Sequence, residues 1–194
     1  MKKMAAWLVM LILAIPAISA AQTSKGYHKK FYLNMGLGSG KVEQNFYEHP
    51  GSDVRFAMSL SAGYFIKPWL QLGATAGGWS YEFEDYYDWT KGIYISNTVA
   101  HFRFYPIPQT GLYASGGYGF CSFTNRNPGS NPQYSTGPGY LVNAGYEHVI
   151  DKKNGLILGA MISYQWGKLH NFPLFEASNR NFSVWEAMLT FGID

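Results

Sequence analysis

The sequence is poor in charge and has almost no cysteine. Charged residues make up 14% of its 194 residues, against about 25% in an average soluble domain. Cys121 is the single cysteine, so the chain cannot form an internal disulfide. Without Lys2 and Lys3, 13 of its 15 basic residues remain against 12 acidic ones, a balance that gives no basis for a nucleic-acid partner. After the first twenty residues the longest apolar run, GLILGAMISY (155–164), is far shorter than the roughly 20 residues of a membrane-spanning helix.

The first residues have the organisation of a secretory signal. Two lysines precede an apolar stretch over residues 7–14, and the small residues Ser-Ala-Ala at 19–21 suit a signal peptidase. We expect residues 1–21 to be a signal peptide cleaved before Gln22, rather than a retained membrane anchor.

Aromatic residues, at 18%, and glycine, with 22 residues, are abundant. Apolar residues alternate with small or polar ones through much of the chain, as in strands that bury one face. No amphipathic helical period competes with this pattern, so the predicted fold class is all-β. Eight strands are predicted, over residues 31–39, 55–66, 69–80, 93–104, 111–122, 140–150, 155–166 and 182–193.

The fourth predicted strand contains an irregularity in this alternation. Its early apolar residues, Ile93, Ile95 and Val99, are out of phase with Phe102 and Phe104. We expect either a β-bulge in this strand or a face of mixed character.

The connections between the predicted strands alternate in length. Strands 2 and 3, 4 and 5, and 6 and 7 are joined by KP, YPIPQT and DKKN, whereas the others run to about a dozen residues or more. Transmembrane barrels have this pattern, with short periplasmic turns and long extracellular loops, and they have an even number of strands. The sequence therefore predicts one domain over residues 22–194, an eight-stranded antiparallel up-and-down transmembrane β-barrel.

A soluble, lipocalin-like barrel is the alternative, with its apolar face turned inward around a ligand. Two features favour lipid. The second face of the strands is made of small residues such as Gly36 and Ser59, which suit a narrow lumen better than a solvated surface. Trp69, Trp166 and Trp185 lie near predicted strand ends, where an aromatic girdle would meet lipid headgroups; otherwise they are ordinary core.

A few charged residues occupy strand positions that should face the lumen. If both phenylalanines of the FRF segment (102–104) face lipid, His101 and Arg103 face inward. Lumen charges must be paired, because the side chains of an eight-stranded barrel fill its interior. Glu147 and Glu186 also have the inward phase, and we expect Arg103 to pair with one of them. The four residues form either a satisfied polar core or the gate of a pore.

Two segments and the last strand support a family resemblance. HFRFYPIP (101–108), LYASGGYGF (112–120) and a closing strand that alternates up to Ile193 resemble the OmpA/OmpX-like family of small outer-membrane barrels. The resemblance covers everything after the signal peptide and implies a place in a bacterial outer membrane and a contact with the barrel-assembly machinery. Family members usually finish on an aromatic residue, whereas this chain finishes FGID, with Asp194 last.

Some barrels of similar kind are lipid-modifying enzymes. The lipid A deacylase family uses a histidine and a serine two residues apart, and none of the five histidines has a serine at that spacing. The palmitoyltransferase barrels would need His, Asp and Ser grouped on outer loops, and His49, Ser52 and Asp53 in HPGSD are the candidates. We expect no enzymatic activity, no cofactor and no metal site.

Two long connections carry side chains suited to contacts. YEFEDYYDWTKG (81–92) interleaves acids and aromatics that could bind a cation, a glycan or a host protein, or could end a strand pair in a solvated turn. GKLHNFPLFEASNR (167–180) exposes apolar residues as a contact surface or lid, unless they pack against neighbouring loops. The candidate contact residues are Glu82, Glu84, Asp85, Asp88, Trp89, Phe172 and Phe175.

These patterns favour a non-enzymatic outer-membrane barrel with a structural or adhesion-type role through its long extracellular loops. The alternatives are a lipid-remodelling enzyme (an acyl hydrolase or transferase) and a narrow channel. Expected partners are outer-membrane lipids, the barrel-assembly machinery and a surface ligand or host protein of unknown identity.

Overall fold

A computed structural model of the chain shows a closed barrel of eight antiparallel β-strands. Each strand pairs with the next, and the first pairs with the last to close the sheet, which confirms the predicted up-and-down barrel. The structure describes residues 31–44, 54–82, 92–108, 110–126, 133–151, 153–170 and 180–193, so the expected signal peptide lies outside it. The strands are β1 (Phe31–Gln44), β2 (Val54–Lys67), β3 (Leu70–Glu82), β4 (Gly92–Phe104), β5 (Leu112–Arg126), β6 (Gln133–Asp151), β7 (Leu156–Leu169) and β8 (Arg180–Ile193).

Successive side chains along each strand point alternately out of the barrel and into its lumen. The outward positions midway along the strands are apolar, with large side chains interspersed with alanine and glycine. A continuous belt of this kind is stable against lipid rather than water. No helix among the described residues has the length and apolar character that crossing a bilayer requires. Outward side chains of the belt, 52–61% exposed, include Met58, Leu60, Phe102, Ile162 and Leu189.

The alternation in β4 is continuous, and its registers with β3 and β5 show no shift. Of the two expectations for this strand, the mixed face is right and the bulge is wrong, because Ile95 and Val99 are buried in the lumen. The lumen changes from polar to apolar along its length, so the inward face of β4 carries polar residues at one end and apolar residues at the other. Register shifts occur instead near the short turns, after Phe65 in β2 and after Val149 in β6.

The strands continue further toward the long-loop rim than predicted. β6 begins at Gln133 rather than at residue 140 and is 19 residues long, and β1 runs on to Gln44. The long connections are therefore shorter than the dozen or more residues that the sequence predicts. The connections at this rim are residues 45–53, 83–91, 127–132 and 170–179.

Short turns close the opposite rim. Gly111 before β5 and Gly155 before β7 both have a φ of 72°, a left-handed conformation that glycine adopts without steric cost. The carbonyl of Gly111 accepts a hydrogen bond from the backbone N–H of Glu147 at 3.0 Å. A Cβ atom at Gly111 would overlap the backbone carbonyl of Glu147. This turn therefore positions the part of β6 that carries a lumen carboxylate.

Candidate functional site

The half of the lumen nearest the short turns contains an ion pair. Nη1 of Arg103 on β4 lies 2.5 Å from Oε1 of Glu147 on β6, and both side chains are 3% exposed. The hydroxyl of Tyr105 donates a hydrogen bond to Oε2 of Glu147 at 2.8 Å. Of the two carboxylates expected to pair with Arg103, Glu147 is therefore the one that does so.

Aromatic rings enclose the guanidinium group. Its Cζ atom lies 4.2 Å from the ring centroid of Tyr113 and 5.0 Å from that of Tyr32, both within the range of a cation–π interaction. The ring of Tyr105 packs against those of Tyr113 and Phe65, at centroid distances of 5.8 and 5.6 Å. One carboxylate and two π faces thus offset the desolvation of the buried charge of Arg103.

His101 lies one inward position further from the short turns, in a chain of hydrogen bonds. Its Nε2 atom is 3.1 Å from the hydroxyl of Tyr32, and its Nδ1 atom is 3.1 Å from that of Thr75. The Thr75 hydroxyl is 2.8 Å from that of Ser61. Both ring nitrogens have partners, so His101 links the aromatic box to the polar middle of the lumen.

A second polar cluster lies nearer the long-loop rim, around Glu186 on β8. Nε1 of Trp79 donates to one carboxylate oxygen at 2.6 Å, and Nε2 of Gln165 donates to the other at 2.8 Å. Asn97 donates to Oε1 of Gln165 at 2.9 Å. Hydrogen-bond donation therefore runs toward the carboxylate from both sides. Glu186 is inward, as expected, but within the described residues its partners are these neutral groups and not Arg103.

A layer of polar and apolar side chains separates the two clusters, and apolar side chains close the lumen beyond the second one. Between the clusters, the hydroxyl of Ser59 donates to Sδ of Met188 at 3.4 Å. Beyond Glu186, rings and branched chains fill the interior, as the small bore of an eight-stranded barrel allows. These buried residues, at most 2% exposed, are Val42, Ile95, Phe123, Leu169, Phe182 and Val184.

Sequence reasoning missed the neutral residues that complete the clusters. Tyr105 lies beyond the predicted fourth strand, and Trp79, Asn97 and Gln165 are part of no motif. The signal that could have identified them is their inward position in the alternation of each strand. A polar group that faces a narrow lumen needs a hydrogen-bond partner there. The predicted loop contacts all lie outside the described side chains: Glu82, Glu84, Asp85, Asp88, Trp89, Phe172 and Phe175, together with His49, Ser52 and Asp53.

Beyond the lipid belt, the outward surface of β4, β5 and β6 is lined by hydroxyl groups. Neighbouring residues in the registers form two rows across the three strands. In the upper row, two tyrosines are 47% and 59% exposed. In the lower row, the hydroxyls of Ser96 and Ser122 lie 2.7 Å apart. We call this surface the hydroxyl wall; it consists of Tyr94, Thr124 and Tyr134 above and Ser96, Ser122 and Thr136 below.

A closed eight-stranded barrel with a filled lumen, an apolar outer belt and short turns at one rim is the architecture of the small outer-membrane β-barrel proteins. The belt fits the hydrocarbon core of a bilayer, and the closed sheet leaves no strand edge unpaired in lipid. The chain is therefore an outer-membrane β-barrel, located in the outer membrane of a bacterium.

Solved structures of this class are similar to the chain. Neisserial surface protein A superposes with a TM-score of 0.57 at 16% identity, over 84% of this chain and 96% of that one. Ail, the attachment invasion locus protein of Yersinia pestis, gives a TM-score of 0.57 at 12% identity, over 86% of this chain and 99% of that one. No family model and no curated protein matches the sequence. At these identities the likeness establishes a shared fold.

Proposed function

We propose that the protein is a non-enzymatic barrel that makes contacts at the cell surface through the hydroxyl wall and the connections at the same rim. The observation that carries this proposal is the wall itself, a described surface of exposed tyrosines and hydroxyls beyond the lipid belt. The name of one structural relative, an attachment invasion locus protein, is in keeping with such a role.

The length of β6 supports a surface that rises above the membrane. Its 19 residues, at about 3.3 Å each and a tilt of about 40°, extend roughly 48 Å along the membrane normal. The apolar band of an outer-membrane barrel is about 25 Å tall. A stretch of roughly 20 Å therefore remains for the turns and the protruding wall, and β4 and β5 pair with β6 through the wall.

The chemistry of the wall suits recognition of a polar partner. Tyrosine contributes a large, rigid contact area with a hydroxyl at its end, and serine and threonine add adaptable hydrogen bonds. Tyr94 and Tyr134 flank Thr124 in one row, so a partner would meet two rings separated by a small residue. This arrangement resembles a binding surface more than an ordinary solvated strand, which would carry charges.

The filled lumen supports a role for the outside of the barrel. A channel needs a continuous aqueous path, and the layer that contains Phe123 and Phe182 occupies that path. The four inward residues Arg103, His101, Glu147 and Glu186 act, in this proposal, as the polar core that holds the wall in place.

Adhesion of whole cells tests the proposal. Bacteria that display the protein would be assayed on immobilised glycans, extracellular-matrix proteins and cultured epithelial cells, against bacteria that lack it. We expect display to raise adhesion to one of these surfaces, and Tyr94→Ser with Tyr134→Ser to reduce the gain by about tenfold, as for the loss of a binding hot spot. Tyr64→Ser is the matched control, because Tyr64 is 48% exposed but lies at the short-turn end.

Two outcomes would overturn the proposal. One is equal adhesion of bacteria with and without the protein, and the other is release or transfer of acyl chains when purified protein is incubated with lipopolysaccharide and phospholipid. The second result would establish the lipid-remodelling alternative.

A further inference from the structure

The hydroxyl wall repeats one simple unit on three neighbouring strands. β4, β5 and β6 each contribute one residue to the upper row and one to the lower row, and the strand registers hold the three units side by side without a shift. Adjacent strands of a sheet are about 4.8 Å apart. The wall is therefore a surface with a fixed lateral repeat, which suits a ligand that has a repeat of similar length.

The two tyrosines of the upper row have free ring faces. Tyr94 and Tyr134 are 47% and 59% exposed, and among the described residues neither ring stacks on another ring. Tyr140, in contrast, is covered by Trp166 at an interplanar angle of 10°. The face of an aromatic ring is electron-rich and attracts polarised C–H groups, such as those on one side of a sugar ring. Each free tyrosine is therefore a platform on which one sugar can stack.

The spacing of the two platforms matches a chain of sugars. Thr124 on β5 lies between Tyr94 and Tyr134 in the registers, so the two tyrosines belong to strands about 10 Å apart, twice the spacing of neighbouring strands. In an extended β-linked chain of hexoses, each sugar advances by about the distance between two strands, and alternate sugars have the same orientation. The first and third sugars therefore reach the two rings, and the small side chain of Thr124 leaves room for the second.

The lower row supplies hydrogen bonds along the same line. The hydroxyl oxygens of Ser96 and Ser122 lie 2.7 Å apart, so one proton is used between them, while the other proton and the remaining lone pairs are available to a ligand. Thr136 adds a third hydroxyl next to Ser122 in the register. The bond between the two serines fixes both side chains before a ligand arrives, which lowers the entropic cost of binding.

The charge of the wall favours a neutral ligand. Its six residues are tyrosines, serines and threonines, so a sulfated or acidic glycan would gain no ion pair from them. The ion pair of Lys41 and Glu43 on the outer face lies on β1, away from these three strands. Stacking and hydrogen bonds between neutral groups are the contacts that the wall offers.

We propose that the hydroxyl wall binds a neutral, extended, β-linked glycan that lies across β4, β5 and β6. Its first and third sugars stack on Tyr94 and Tyr134, and the hydroxyls of the lower row bond to polar groups of the sugars. This inference rests on the proposed surface-contact role and assigns the partner to carbohydrates. A protein partner fits less well, because its side chains have no reason to follow a repeat of one unit per strand.

Neutral oligosaccharides of increasing length test this inference. The probes are chitin oligosaccharides of two to six sugars, titrated by calorimetry into full-length folded protein in nanodiscs. A chain of two sugars reaches one tyrosine and a chain of three reaches both, so the affinity should rise by about tenfold from two sugars to three and change little for longer chains. A tenfold increase in salt concentration should leave the affinity unchanged, because no ion pair is screened.

Substitutions of the rings assign the stacking contacts. Tyr94→Ser and Tyr134→Ser should each remove the gain that the third sugar brings, whereas Tyr94→Phe and Tyr134→Phe keep the rings and should retain it. Thr124→Trp fills the space between the rings and should reduce the affinity for three sugars by about tenfold. Tyr64→Ser at the short-turn end is the control, and heat-modifiable migration on gels checks the folding of every variant.

Three results would overturn the inference. The first is an affinity for chitin oligosaccharides that does not depend on their length. The second is tighter binding of a heparin hexasaccharide that weakens with salt, which would identify an acidic glycan as the partner. The third is no binding of any oligosaccharide while adhesion to protein-coated surfaces still depends on Tyr94 and Tyr134. That result would identify a protein partner and leave the surface-contact role intact, whereas equal adhesion with and without the protein would overturn the role itself.

Discussion

Arg103 and Glu147 are joined at 2.5 Å although β5 lies between their strands. The bond therefore links two parts of the barrel that share no backbone hydrogen bonds. Both side chains are almost fully buried, so water cannot solvate either charge if its partner is removed.

Truncation of Arg103 should strongly destabilise the barrel. Arg103→Ala leaves the Glu147 carboxylate buried without its cation, which costs about 3–5 kcal/mol. Replacement of both residues by apolar ones of similar size should recover much of that loss. Unfolding by urea in lipid vesicles measures the free energies of the two single variants and the double variant.

The same cycle with Glu186 is the control. Because Glu186 is bonded to Trp79 and Gln165, the effects of Arg103→Ala and Glu186→Ala should be additive within about 0.5 kcal/mol. Strong coupling between Arg103 and Glu186, or wild-type stability of Arg103→Ala, would contradict the observed pairing.

The hydrogen-bond direction around Glu186 predicts an effect of an almost isosteric change. Glu186→Gln places an amide N–H₂ opposite either the indole N–H of Trp79 or the amide N–H₂ of Gln165, so two donors face each other. We expect a loss of about 1–3 kcal/mol in the free energy of unfolding. Adding Gln165→Glu restores an acceptor for both the new amide at position 186 and the amide of Asn97, and should recover most of the loss in urea titrations. A double variant no more stable than Glu186→Gln would show that direction is unimportant.

The two left-handed glycines should differ in their tolerance of a side chain. Gly111→Ala and Gly155→Ala share the same φ of 72°, which costs about 1–2 kcal/mol for a residue with a Cβ atom. In addition, a Cβ at Gly111 would overlap the carbonyl of Glu147. Gly111→Ala should therefore unfold at lower urea than Gly155→Ala, and the reverse order would rule out this steric cause.

The packed lumen predicts an absence of steady current. Ions have no path past Phe123 and Phe182, whose side chains are 0% and 2% exposed. Planar-bilayer recordings of the purified, folded barrel should show no conductance above that of the bilayer, before or after Arg103→Ala. A stable open level in wild-type protein would establish the narrow-channel alternative.

Much of the fold could be predicted because lipid and lumen impose opposite demands on alternate residues. Phe102 is suited to lipid and Arg103 to the lumen, and adjacent residues of a strand face opposite sides of the sheet. The alternation alone therefore places Arg103 inside. Strand ends were harder to predict. Lys41 and Glu43 look unlike membrane residues, yet β1 continues through them, because above the lipid a strand can carry charge.

The candidate site was only partly predictable, for a reason of register. Phase identifies which residues point inward, but the height of each in the lumen depends on how neighbouring strands are staggered. Glu147 lies beside Arg103, and Glu186 lies nearer the other rim, beside Trp79. The two glutamates were equivalent in the sequence and became distinct once the eight registers were fixed.

The close packing of the lumen implies different rates of evolutionary change on the two sides of one sheet. Inside, a Cβ atom at Gly38 would overlap the backbone of Ala187, and a change at Glu186 disturbs residues on other strands. Outside, Tyr94 and Tyr134 are 47% and 59% exposed. If host defences recognise this protein, its antigenic variation should therefore accumulate on the hydroxyl wall, while descendants keep the same interior.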